Sequence, residues 1–132
     1  MATLSQTARL AALFAALADP TRLRLLNLMQ GREVCVCYFV EILGQSQPKI
    51  SRHLAYLRRA GVVSARREGK WMHYRILRPE DTAEAAVLDA ALATLAGDKR
   101  MQADRVRLER AGSAAAKLVT LAGAPKPAAL AG

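Results

Sequence analysis

From Leu4 to Ala18, apolar side chains recur at three- and four-residue intervals, at Leu10, Leu13, Phe14 and Leu17. That spacing predicts a helix with one apolar stripe. Asp19-Pro20 ends this helix and begins the next. Aspartate can accept hydrogen bonds as an N-cap, and proline fits the first helical position, where its missing N–H costs nothing. The second helix is predicted over Pro20 to Gln30, with Leu23, Leu26, Leu28 and Met29 inward and Gly31 as its stop. Val36, Phe39, Val40 and Leu43 share a helical face, which predicts a short third helix over Val34 to Leu43. Gly44-Gln45 then turns the chain. Ser46 is the expected N-cap of a fourth helix reaching Ala60, with Pro48 in its first turn and a buried stripe of Ile50, Leu54 and Leu57.

After Gly61 the period changes. Val62 to Arg67 and Trp71 to Leu77 are rich in β-branched and aromatic residues, and Glu68-Gly69-Lys70 between them predicts a tight hairpin. Pro79-Glu80-Asp81 opens another helix, with acids where the dipole favours them and a small-residue face of Ala86, Val87, Ala90, Ala91 and Leu95. Helix, turn, helix and hairpin in this order predict a mainly α fold: a winged helix-turn-helix with a two-stranded β-hairpin wing. The apolar stripes of the first and last helices are left over once the central core is filled. They predict a homodimer seam through Leu10, Leu13, Phe14, Val87, Ala91 and Leu95. This DNA-binding and dimerisation domain is expected to span residues 1–98. A charged helical extension follows over 99–112, then an Ala/Gly/Pro-rich mobile tail over 113–132.

Charge sharpens this picture. The chain has 132 residues, 52% of them hydrophobic, and a net charge of +9. It therefore folds, and it favours a polyanion, nucleic acid before membrane. Between Ser46 and Arg78 there are nine Lys and Arg residues and one acid, Glu68, so the positive charge is concentrated on the predicted reading unit. The fourth helix turns Lys49, Arg52, Ala55, Tyr56 and Arg59 away from its buried stripe. Gln47 and Arg52 are the candidate base contacts, and Lys49 and Ser51 the candidate phosphate contacts. Arg66, Arg67 and Lys70 are candidate wing contacts to DNA. His53 reads equally as a packed core histidine or a DNA contact. The N-terminus lacks the pattern of a signal peptide and no apolar run could span a bilayer, so a cytoplasmic location without membrane association is expected. A cysteine nucleophile would need an oriented histidine base, and His53 and His73 both fall in the reading half, so no enzymatic activity is expected.

The chain has two cysteines, Cys35 and Cys37. In a reducing compartment they stay thiols. Taken alone, their spacing reads first as two small buried side chains. Their setting changes that reading. Cys35-Val36-Cys37, followed by SQPKISRHLAYLRRAG and RREGKWMHYRI, with ALADPTRLRLL upstream, strongly resembles the arsenical-resistance repressor (ArsR) family of metalloid-sensing winged-helix repressors. The resemblance covers roughly Leu10 to Leu95. It implies a homodimer on double-stranded operator DNA, released when As(III) or Sb(III) is held by the thiolates of Cys35 and Cys37, with no permanently bound cofactor. The family branch with this motif often has a third thiol where this chain has Val40, so the third valence must be filled from outside the protein. A trivalent organoarsenical is one alternative inducer, and a thiol redox signal on the same scaffold is another. Residues two apart on a regular helix point in nearly opposite directions, so chelation is expected to unwind the first turn of the third helix.

Overall fold

The computed structural model describes residues 5–113 and 123–129. Helix α1 (Gln6–Leu17) starts at Ser5, whose side chain accepts from the Ala8 N–H. Helix α2 (Pro20–Leu28) starts at Asp19, which accepts from the Arg22 N–H. Strand β1 (Arg32–Cys35) leads directly into α3 (Val36–Leu43). Gly44, at φ 65°, ends α3 in the left-handed region. Helix α4 (Gln47–Arg59) follows, with Ser46 at its N-cap position but making no side-chain capping bond. Strands β2 (Val63–Glu68) and β3 (Trp71–Ile76) form the hairpin, and α5 (Thr82–Gly97) is capped by Asp81. Helix α6 (Lys99–Ser113) and a two-residue strand, β4 (Ala128–Ala129), complete the described chain. The result is a mainly helical winged helix-turn-helix.

The core lies where α2, α3 and α4 meet. Leu25, Leu26, Met29, Tyr38, Phe39, Ile50, Leu54 and Leu57 are fully buried there. Leu88 of α5 and Leu108 of α6 close it from the other side. Among the described residues, no helix is long and apolar enough to cross a membrane.

Three features differ from the sequence expectations. First, Val34 and Cys35 are extended, not helical: Val34 pairs with Tyr74 and Cys35 with His73 across β1 and β3. The wing is thus one end of a four-stranded sheet ordered β2-β3-β1-β4. A four-residue strand held by a distant partner leaves no local period to read. Second, residues 123–129, within the expected mobile tail, lie back against β1 and the core. Ala128 and Ala129 pair with Glu33 and Arg32, and Ala124 is buried in the core cluster. The rest of that tail, 114–122 and 130–132, lies outside the described residues. Third, α6, expected as a charged helical extension, is docked on α2. Arg24 Nε donates to Asp104 Oδ2 at 2.8 Å and Arg24 Nη2 to Oδ1 at 3.1 Å. Beside this pair, Asn27 donates to the Met101 carbonyl at 2.9 Å and accepts from Arg105.

Two of the expected seam residues are already covered within the chain: Leu13 is 3% exposed and Leu95 8%. Helices α1 and α5 are joined by an ion pair, Arg9 Nε to Glu84 Oε1 at 3.2 Å. Leu10, Val87 and Ala91 are half-buried, and Phe14 is 53% exposed.

The Arg24–Asp104 pair generates a stability prediction. Asp104 is buried, so removing its carboxylate strands a guanidinium that is itself mostly covered. Asp104→Ala should destabilise the fold by roughly 3 kcal/mol or more. The readout is a lowered urea midpoint with an unchanged slope.

Candidate functional site

The candidate thiol site forms where extended chain becomes helix. Cys35 is the N-cap of α3, with φ −71° and ψ 142°. Cys37 is the second residue of that helix. Because one residue is extended and the other helical, their side chains converge: Cys37 Sγ donates to Cys35 Sγ at 3.3 Å. The expected unwinding is therefore not required. With bonds of roughly 2.3 Å to a soft ion, sulfurs at that separation subtend an angle of about 90°. Such an angle suits a pyramidal trivalent centre. Cys35 is buried and Cys37 half-exposed, so one edge of the pair opens to solvent.

The pair titrates as a unit sharing one proton. The Cys37 thiol donates to the Cys35 sulfur, backbone N–H groups of Cys37 and Val36 add to this, and His73 across the sheet favours negative charge. Together they outweigh burial and hold Cys35 down to about 6. Cys37 is pushed up, first because its proton is held by Cys35, then by burial and by the neighbouring charge. Tyr38, the next helical residue, is fully buried, and its hydroxyl has no hydrogen-bond partner among the described residues. Burial and the two thiols push its ionisation upward. Among the described residues, no group of three or more His, Cys, Asp or Glu could hold a metal ion.

The candidate reading face lies on α4. Gln47, Lys49, Arg52 and Arg59 are exposed, Ser51 and His53 are half-buried, and Ile50, Leu54 and Leu57 lie beneath them. Arg22, Lys49, Arg52, His53, Ala55, Tyr56 and Arg59 line an open depression of about 560 Å³. Two guanidinium groups lie near the Tyr56 ring, with Arg22 Cζ 4.1 Å and Arg59 Cζ 5.8 Å from its centroid. His53 Nδ1 is 3.4 Å from Arg22 Nη1 and 3.9 Å from Asp19 Oδ1. It is thus packed against Arg22 and Asp19 on one side and lines the depression on the other.

Arg22 is the residue that the sequence reasoning missed. It donates to the Ala16 carbonyl through Nε and to the Ala15 carbonyl through Nη2, both at 2.9 Å. Those carbonyls lie in the last turn of α1, where helical partners run out. Arg22 therefore fastens the end of α1, the start of α2 and the Tyr56 face of α4. Its signal was available: a cation in the first turn of a helix opposes the macrodipole and needs compensating acceptors.

On the wing, Arg67 and Lys70 are exposed, and Lys70 Nζ lies 4.9 Å from the Trp71 ring centroid. Arg66 is engaged. Its Nε donates to Glu33 Oε1 at 2.9 Å, its Nη2 is 2.6 Å from the same oxygen, and its Nη1 is 3.5 Å from Glu68 Oε2. The structure thus brings Arg66 to β1, the strand that ends at Cys35, whereas Arg67 and Lys70 stay on the outer hairpin.

The family model for bacterial regulatory proteins of the arsR family matches residues 19–65. The chain is 52% identical over 81 residues to the arsenical resistance operon repressor of Escherichia coli, a match covering 60% of this chain and 68% of that protein. It is 53% identical over 68 residues to the arsenic resistance transcriptional regulator ArsR1 of Pseudomonas putida, covering 51% of this chain and 52% of that one. Among solved structures it resembles HlyU from Vibrio cholerae, with TM-score 0.58, 30% identity, 67% of this chain and 92% of that chain covered. It also resembles the transcriptional repressor BigR from Xylella fastidiosa, with TM-score 0.55, 32% identity, and coverages of 71% and 92%.

The shared proton gives a spectroscopic expectation. Thiolate absorbance in the ultraviolet should rise by one equivalent with a midpoint near about 6. In Cys37→Ala the donor is gone, so the midpoint should move up toward an ordinary thiol. A wild-type midpoint in the ordinary thiol range, unmoved by Cys37→Ala, would contradict the hydrogen-bonded pair.

Proposed function

The chain belongs to the arsR family of bacterial regulatory proteins, whose members are winged-helix transcriptional regulators, and from that premise we propose that it is a repressor released from operator DNA by a trivalent metalloid. The inducer, As(III) or Sb(III), is held by the thiolates of Cys35 and Cys37. The observation that carries this reading is the 3.3 Å contact between the two sulfurs at the start of α3, one helix away from the reading face. Soft thiolates select soft ions. The names of the Escherichia coli and Pseudomonas putida relatives, both tied to arsenic resistance, favour a metalloid over other soft ions.

The third valence comes from outside the two sulfurs. Hydroxide or a cellular thiol serves for arsenite, and a carbon substituent is already present in a monosubstituted trivalent organoarsenical. A two-sulfur site accepts both. The operator-bound form is a homodimer whose seam uses Phe14, Leu10, Val87 and Ala91. That face is supported by the exposure of Phe14 beside half-buried neighbours on two elements that pack together. In a dimer the two α4 helices would enter successive major grooves, about 34–36 Å apart. Gln47 and Arg52 would read bases, and Lys49, Ser51, Tyr56 and Arg59 would border the backbone. Arg67 and Lys70 would reach phosphates from the wing. A cytoplasmic location follows from this role.

A second reading is favoured by the same contact. Two sulfurs 3.3 Å apart, one held as thiolate, also suit oxidation by a peroxide to a disulfide. The spacing makes that ring strained, which ranks this reading below chelation.

Operator titrations by fluorescence anisotropy separate the readings. In excess phosphine reductant, arsenite should release wild-type protein, and Cys35→Ser and Cys37→Ser should bind operator normally yet stay bound at the same arsenite concentration. A serine variant that still released DNA would remove the pair from the sensing role. Release by peroxide, with arsenite inert under full reduction, would favour the redox switch instead.

A further inference from the structure

The thiol pair lies at one end of a polar row that crosses the sheet to the wing. Cys35 on β1 faces His73 on β3, and His73 faces Arg66 on β2. Directly paired residues in a sheet put their side chains on one face, so sulfur, imidazole and guanidinium form a single cross-strand row. Glu33 precedes Cys35 by two residues and therefore shares that face. Its Oε1 takes both Arg66 contacts, at 2.9 and 2.6 Å, and stands 3.9 Å from His73 Nδ1. Glu68, at the wing end of the row, lies 3.4 Å from His73 Nε2, although that nitrogen makes no hydrogen bond among the described residues. The Glu33 side chain is 12% exposed and that of Arg66 51%. An almost covered carboxylate on the thiol-bearing strand thus holds a half-exposed wing cation.

We propose that Glu33 is the positioning residue through which occupancy of the thiol pair reaches the wing, because it decides whether Arg66 is held on β1 or is free to reach a DNA phosphate. The inference rests on the proposed thiol site. Its two states differ in one contact. In the first, Arg66 stays on Glu33. In the second, the guanidinium exchanges the carboxylate for a phosphate oxygen, and β1 must give as the wing docks. β1 is four residues long, and its last residue is Cys35. An ion bonded to Cys35 and Cys37 ties that residue to the first turn of α3, so β1 can no longer follow the wing. The loaded protein therefore keeps Arg66 on Glu33 and loses a backbone contact. Coupling between two sites needs a differential contact of this kind, and it is reciprocal.

The test is a closed thermodynamic cycle on the full chain. Operator affinity is measured with and without arsenite, and arsenite affinity with and without operator, for wild type, Glu33→Gln, Arg66→Gln and the double variant. Wild type should show a large loss of operator affinity on arsenite binding. In Glu33→Gln that loss should shrink by roughly five-fold or more, because typical couplings span about 5–150-fold. Arsenite affinity of the free variant should stay at the wild-type value, since the two sulfurs are untouched. Adding Glu33→Gln to Arg66→Gln should change the coupling no further, a non-additivity that a merely structural role would not produce. An unchanged coupling in Glu33→Gln would overturn the proposal. So would reduced arsenite affinity of the free Glu33→Gln protein, which would place Glu33 in the thiol site itself. Failure of arsenite to act on the wild type would instead sink the thiol-site reading beneath it.

Discussion

The functional half of this protein depends on one conformational boundary. The chain is extended at Cys35 and helical from Val36. That change turns two side chains that would diverge on a helix into a pair whose sulfurs touch. It is imposed from outside the segment: β3 pairs with β1 and fixes Val34 and Cys35 in the extended state. The α3 side supplies the rest. Its buried residues Tyr38, Phe39, Ile42 and Leu43 anchor the helix in the core, with its first turn beside the strand end. Sheet pairing and core packing together hold the two thiols at chelating distance in advance. Under the proposed chelation, an ion would meet little of the ordering cost that a flexible pair would impose.

The same boundary connects the thiols to both DNA-facing elements. Through α3 they adjoin α4, which packs on α3 at the core. Through β1 they belong to the sheet that ends in the wing. On the far edge of β1, Ala128 and Ala129 cover backbone groups that an edge strand would otherwise expose. The α2–α6 contacts of Arg24, Asn27, Asp104 and Arg105 sit behind this arrangement as a polar, buried fastening. Such networks stabilise only while every member has its partner, so this one is both specific and fragile.

Much of this was legible in the residues themselves. Leu54 and Leu57 announce α4 by their spacing, and Asp19-Pro20 marks a helix start that the structure reproduces bond for bond. The hairpin was legible from β-branched runs around Gly69. What stayed hidden was set by distant partners. Val36, Phe39, Val40 and Leu43 are helical as spaced, but nothing local stops the helix from running back through Cys35; only Tyr74 and His73 do that. Asp104 looks like one charge among many in α6 until Arg24 is seen against it, 80 residues away in sequence. Leu13 carries the spacing of a seam residue, yet it is covered within its own chain. Arg66 was readable as a wing cation, but its hold on Glu33 was not, because the register of β1 against the wing was unknown.

The claim that the thiol pair is a ready-made two-sulfur chelate can be tested on the bound ion itself. X-ray absorption at the arsenic edge, on reduced protein loaded with one equivalent of arsenite in phosphine without any added thiol, reports the ligand set directly. The account predicts two sulfur neighbours and one light atom. Fewer than two sulfurs, or three, would contradict it.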